Sequence, residues 1–345
     1  MDDLPWQHDA LDTMLGRADL PQALLLAGSK GIGKRTFAAA LIAAMLCESP
    51  RPPGRACGAC PSCEWLRAGS HPDFRLVSPQ SESEGDGSKG TDETRPGTRK
   101  GSHQIAAEQV RMLADFVNLS AHRAGRKVVL ISPAEAMNSF AANSLLKILE
   151  EPPGETTFLL LTHQSQRLLP TIRSRCQRLD MAAPPHAQAI AWLESQGVAD
   201  ASAALAYAGG APLEALDAFR GNERSRRSSL LTPLCEPATL DVLGLAETLA
   251  KEEMPSLVSW LQKWVYDLIA SRLARRIRYN VALIPAIERL GRAADISRLL
   301  AYQRTLAETQ AVAGHPLNAQ LLLERLFFDY AEIWNVGEGE IDGRA

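Results

Sequence analysis

The sequence contains no run of about 18 uncharged apolar residues, so no membrane-spanning helix is expected. Its first residues, MDDLPWQHDA, are acidic and carry no apolar stretch, which excludes a signal peptide there. The expected compartment is therefore cytoplasmic, where thiols stay reduced. No global basic excess exists: 37 Lys and Arg stand against 40 Asp and Glu, a net charge of -3. Any nucleic-acid contact must then be local or made through partners. No internal repeat is visible. No pair of metal-binding aspartates sits in a polymerase-like setting, so a nucleotidyltransferase label would describe an assembly and not this chain. Residues 80–104 contain no aliphatic or large aromatic side chain. Such a segment cannot offset its ordering entropy by burial and is expected to be a disordered insertion.

What is present fits an ordinary globular protein of two or three domains: 345 residues, 46% apolar and 22% charged. Short buried runs alternate with helical patterns through about residue 180. PQALLLA (21–27), FRLVSP (74–79), KVVLI (127–131) and TFLLLT (157–162) read as strands. RTFAAALIAAMLC (35–47), the periodic segment from Ile105 to Val117 and SFAANSLLKIL (139–149) read as helices. That alternation predicts an α/β domain with a parallel sheet. Beyond Pro184-Pro185 the strands stop. Residues 186–219 read as helices broken at Gly209-Gly210, and 240–330 as long amphipathic helices.

Gly28-Ser29-Lys30-Gly31-Ile32-Gly33-Lys34-Arg35-Thr36 follows a strand and opens a helix. Glycines let the backbone wrap an anion, the helix N-terminus attracts negative charge, and Lys34 could reach a phosphate. A phosphate loop that binds Mg-ATP needs Ser or Thr directly after the lysine. Here Arg35 holds that place. Thr36 comes one residue late, turned by about 100° around the helix. After KVVLI, Ser132-Pro133 stand where a hydrolysing site needs carboxylates for the metal and the water. Glu135 reads as a solvated helix-start carboxylate. Cys47, Cys57, Cys60 and Cys63 fall within 17 residues, a spacing that can close on one structural Zn²⁺. Cys176 and Cys235 read as isolated apolar groups, and His71 as structural.

The loop GSKGIGKRT, the four-cysteine module, Ser70-His71-Pro72-Asp73, ANSLLKILEEPP (142–153) and RLLPTIRSRC (167–176) together give the resemblance. The chain resembles the clamp-loader subunits of bacterial DNA polymerase III, which are AAA+ proteins. The resemblance implies a RecA-like AAA+ domain at 1–180, with the zinc module at 47–63. It further implies a helical lid at 181–222, an all-α collar at 223–335 and a tail at 336–345. It implies a hetero-oligomeric ring with gamma/tau ATPase subunits and a delta subunit, acting on the sliding clamp and primer-template DNA. Arg175, in Ser-Arg-Cys, takes the place of an arginine finger acting on a neighbour. Gly28, Gly31, Gly33, Lys34 and Thr162 take the places of a nucleotide site, with Thr162 at the first sensor. Leu213 replaces the second sensor's arginine. A subunit without its own ATPase is the reading that results, and ATP binding by the chain is doubtful. Two alternatives stand beside it: an active AAA+ ATPase such as gamma/tau, for which Lys34 speaks, and a zinc-module nucleic-acid-binding protein.

Overall fold

The computed structural model describes residues 4–17, 19–80, 104–122, 125–221, 223–313 and 318–334. Almost all of the insertion at 80–104 and the tail at 336–345 lie outside them. The chain divides into two compact units, residues 1–188 and 189–345.

The first unit is built on five parallel strands: β1 (Ala23–Ala27), β2 (Phe74–Val77), β3 (Lys127–Ile131), β4 (Thr156–Thr162) and β5 (Gln177–Asp180). Their spatial order is β2-β3-β4-β1-β5. The central strands β1, β3 and β4 are buried along their whole lengths, as their unbroken apolar runs require in a sheet covered on both faces. Side chains alternate between faces. Leu24, Leu26, Val128, Leu130, Leu159 and Leu161 pack on Phe37, Leu41 and Leu46, which come from α2 (Lys34–Leu46). Leu25, Val129, Ile131, Phe158 and Leu160 pack on the other face. There they meet Val110, Leu113 and Phe116 of α4 (Ala107–Asn118) and Leu145 and Leu149 of α5 (Ser139–Glu150). The remaining helices of this unit are α1 (His8–Leu15), α3 (Pro61–Arg67) and the single turn α6 (Pro170–Arg173).

The second unit is helical among its described residues: the last part of α7 (His186–Ser195), α8 (Ala201–Tyr207), α9 (Pro212–Arg220), α10 (Glu223–Leu234), α11 (Val242–Leu249), α12 (Met254–Ala274), α13 (Ile284–Ala293), α14 (Ile296–Val312) and α15 (Ala319–Ala331). Trp264 on α12 is fully buried, and its indole N–H donates to the Tyr330 hydroxyl at 2.9 Å. That hydroxyl donates to the Leu234 carbonyl at 2.8 Å, so one polar chain runs α12-α15-α10 inside an apolar core. No described helix is long and apolar enough to cross a membrane. The parallel α/β sheet followed by an all-α region agrees with the fold class read from the sequence.

Candidate functional site

Strand β1 ends at Ala27 and α2 begins at Lys34; the glycine-rich turn spans the gap. Gly33 has φ +95°, a left-handed conformation that favours glycine. A Cβ there would lie 2.3 Å from Leu4 Cδ1 and 2.5 Å from Gln7 Nε2. The N-terminal segment thus lies directly on the turn. Trp6 Nε1 donates to the Ile32 carbonyl at 3.0 Å, and Gln7 Nε2 donates to the Gly33 carbonyl at 2.8 Å. Lys34 is buried, and its ammonium donates to the carbonyls of Gly28 at 2.7 Å and Ser29 at 2.5 Å. Arg35 is exposed and Thr36 half-buried. The Gly28 N–H donates to the Thr162 carbonyl, which places the end of β4 beside the turn. Thr162 is fully buried, and its hydroxyl accepts from the Gln164 N–H at 3.1 Å.

Glu135 departs from its sequence reading. It is not a solvated carboxylate. One oxygen accepts the His163 backbone N–H at 2.9 Å, and the other is buried without a hydrogen-bond partner. Burial first, then the Lys34 ammonium, pushes the His163 imidazole below its ordinary value, while Glu135 pulls it back up. Nothing in the local sequence marked His163, because the contact depends on β3 and β4 being neighbours in the sheet.

The four thiols form a separate cluster, with all sulfurs within 4.8 Å of one another. Cys47 and Cys60 sulfurs are 3.9 Å apart, and those of Cys57 and Cys63 are 4.0 Å apart. A tetrahedral ion with metal–sulfur bonds of about 2.3 Å demands edges of about 3.8 Å. Backbone N–H groups of Ala59 and Cys60 aim at Cys57 Sγ, at 3.4 and 3.3 Å, and lower its pKa to about 6. Burial, with help from the neighbouring thiols, pushes Cys63 up to about 12. A divalent cation would remove that conflict by holding all four as thiolates. The four cysteines can therefore hold a metal ion. Two ties fix the module to the domain. Ser62 Oγ donates to the Leu46 carbonyl and lies 2.7 Å from His71 Nε2, while His71 Nδ1 accepts the Asp73 N–H. Arg55 makes a two-pronged ion pair with Asp12 at 2.9 and 3.0 Å. His71 is thus a buried structural group, as read. Cys176 is buried; Cys235 is only partly buried, with its thiol donating to the Leu231 carbonyl.

Arg175 lies in the turn between α6 and β5. Its guanidinium pairs with Glu150 at 2.5 Å and donates to the Thr171 carbonyl at 3.1 Å, with the side chain about one-third exposed (35%).

Two family models match the chain. One described as "DNA polymerase III, delta subunit" covers residues 5–185, and one described as "DNA polymerase III, delta subunit, C terminal" covers residues 222–332. DNA polymerase III subunit delta' of Pseudomonas aeruginosa is 35% identical over 95% of this chain and 97% of its own length. The chain belongs to the DNA polymerase III delta-prime family. Subunit delta' of Escherichia coli K12 is 30% identical over 85% of the chain and 80% of its own length. A third relative, DNA polymerase III subunit tau of Salmonella typhimurium, is 29% identical over only 50% of the chain and 24% of tau. Membership of the delta-prime family therefore extends over both units, whereas the likeness to tau covers half the chain.

Proposed function

We propose that this protein is a ring subunit of the clamp loader that does not hydrolyse ATP itself and completes the ATPase site of a neighbour. The observation that carries the first half is the state of the phosphate loop. The Lys34 ammonium is bound by the loop's own Gly28 and Ser29 carbonyls, and Arg35 points outward where a metal-binding hydroxyl is required. Nucleotide entry would have to break both lysine bonds without gaining a magnesium ligand. Arg175 carries the second half. A guanidinium on the surface can stabilise charge developing on a phosphate held by an adjacent subunit. Thr162, already bonded locally, has at most a positional share in that chemistry.

In this reading the four cysteines hold a structural Zn²⁺, since a closed four-thiolate set leaves no position for substrate. Residues 181–222 act as the lid and 223–335 as the collar of the ring. The partners are the gamma/tau ATPase subunits and the delta subunit, and through them the sliding clamp and primer-template DNA. Work on replicating DNA places it in the cytoplasm. The test is reconstitution of the complex with Arg175→Ala: assembly should persist while ATP hydrolysis and clamp loading fall. An unchanged rate would remove the finger from the proposal.

A further inference from the structure

A surface of the second unit joins aromatic rings to cations. The Arg227 guanidinium lies 3.5 Å from the centre of the Tyr207 ring, and the Lys263 ammonium lies 4.1 Å from the same ring. Lys263 also approaches the Tyr279 ring at 5.6 Å, and Arg278 does so at 5.2 Å. Tyr266 meets Tyr279 edge-on, with ring centres 5.4 Å apart, and is itself exposed (43%). The Gly209 turn closes on this group: a Cβ there would sit 3.5 Å from Tyr279 and 3.9 Å from the Arg278 guanidinium. Beside it, Phe219, Arg224, Arg227 and Tyr207 line a groove of about 80 Å³.

The charge balance here is unlike that of the whole chain. Residues 272–278 hold four arginines and no acid, and 223–227 hold three arginines and one acid. Several carboxylates nearby are already engaged. Asp267 is buried and accepts the backbone N–H groups of Arg278, Tyr279 and Asn280. Glu223 accepts from the Trp260 indole, Asp200 from the Ala203 N–H, and Glu252 from Arg226. Asp267 thereby fixes the loop that presents Arg278 and Tyr279.

We infer that this surface binds single-stranded DNA, with phosphates held by Arg224 and Arg278 and a base stacked on Tyr266. An exposed ring, Tyr266, set among cations suits unpaired bases, which offer a flat face to stack on and a phosphate at each step. A duplex hides those faces. An acidic peptide would use the charges but has no need of the exposed ring.

The experiment is fluorescence anisotropy of a labelled oligothymidylate with the purified full-length chain, titrated at several salt concentrations. It needs neither ATP nor the other subunits, so its failure and a failure of the clamp-loading reading are separable. The expected result is salt-dependent binding that Tyr266→Ala weakens by about fivefold or more, the lower end for loss of one stack. Arg224→Ala with Arg278→Ala should flatten the log-log salt slope by about 1.4, or about 0.7 for each phosphate released. Arg325→Ala, on α15 and paired with Asp329, should leave binding unchanged. The inference is overturned by no binding at low salt, or by equal affinity for Tyr266→Ala. A hairpin duplex binding as well as the single strand, an RNA of equal length binding more tightly, or displacement of the strand by an oligoglutamate at equal charge would overturn it too. Circular dichroism melts of each variant separate loss of binding from loss of fold.

Discussion

Gly33 shows how much one residue can be asked to hold. Its φ of +95° disfavours any side chain, and Leu4 and Gln7 occupy the space a methyl would need. Both obstacles are far ends of side chains and could shift, but Gln7 would then give up its bonds to the Ile32 and Gly33 carbonyls. Gly33→Ala should therefore cost about 1–3 kcal/mol, the combined order of left-handed strain and a lost buried hydrogen bond. A denaturant midpoint equal to that of the unaltered protein would show that the N-terminal segment is not fixed on the turn. His163 gives a second residue-level expectation. Burial and Lys34 keep its folded pKa below the ordinary value of about 6.5, so the unfolded chain takes up the proton first. The stability from keeping it neutral is complete above that value and is lost as pH falls toward the folded pKa. Unfolding free energy should drop between about pH 7 and pH 5. His163→Gln should flatten that part of the profile; an identical profile in the variant would assign the drop to other groups.

At the scale of elements, the strands and the cysteine module were legible because each carries a local signal. KVVLI and TFLLLT are short, unbroken apolar runs of strand length, and four cysteines in 17 residues need no long-range information. Helix α10 was not legible. ERSRRSSLLTPL is polar over its first seven positions and has Pro233 near its end, so periodicity gives no helix there. Burial of Leu230, Leu231 and Leu234 in the helical core fixes it. Tertiary packing outweighed weak local preference. Glu135 was misjudged for a related reason: a carboxylate opening a short turn looks solvated until the neighbouring strand end covers it. For the cysteine module, metal analysis should find one zinc per chain. Cys60→Ser should lower that ratio and speed protease cleavage between residues 48 and 60, because metal binding and local folding are one equilibrium. Zinc-free protein with all four thiols readily alkylated in its native state would rule the site out.

For the whole molecule, the proposed silence of the phosphate loop and the exposed Arg175 account for each other in an assembly. Phosphoryl transfer needs a metal shell, a placed water and charge stabilisation on the transferring group. On the proposed reading, Arg35, Ser132 and Pro133 leave this chain without the first two, while Arg175, exposed at the surface, is left to supply the third to a neighbour. The isolated protein should therefore show no ATP hydrolysis above background, and a robust rate from the pure chain would overturn the division of labour. Within a reconstituted complex, Arg175→Ala should leave folding and assembly intact, since it removes a partly exposed pair with Glu150, of the kind worth about 0–1 kcal/mol, and a bond to the exposed Thr171 carbonyl. If Arg175 acts as proposed, its loss should slow the chemical step at the neighbouring site by roughly 10³-fold. Total DNA-stimulated ATPase should fall by that site's share, and clamp loading should fall with it. Arg175→Lys should rescue little, because an ammonium cannot reproduce the planar fork of donors. Single-turnover hydrolysis and clamp-loading rates measured on the same preparations distinguish these outcomes. Equal rates for Arg175→Ala and the unaltered complex would leave Arg175 as surface charge held by Glu150.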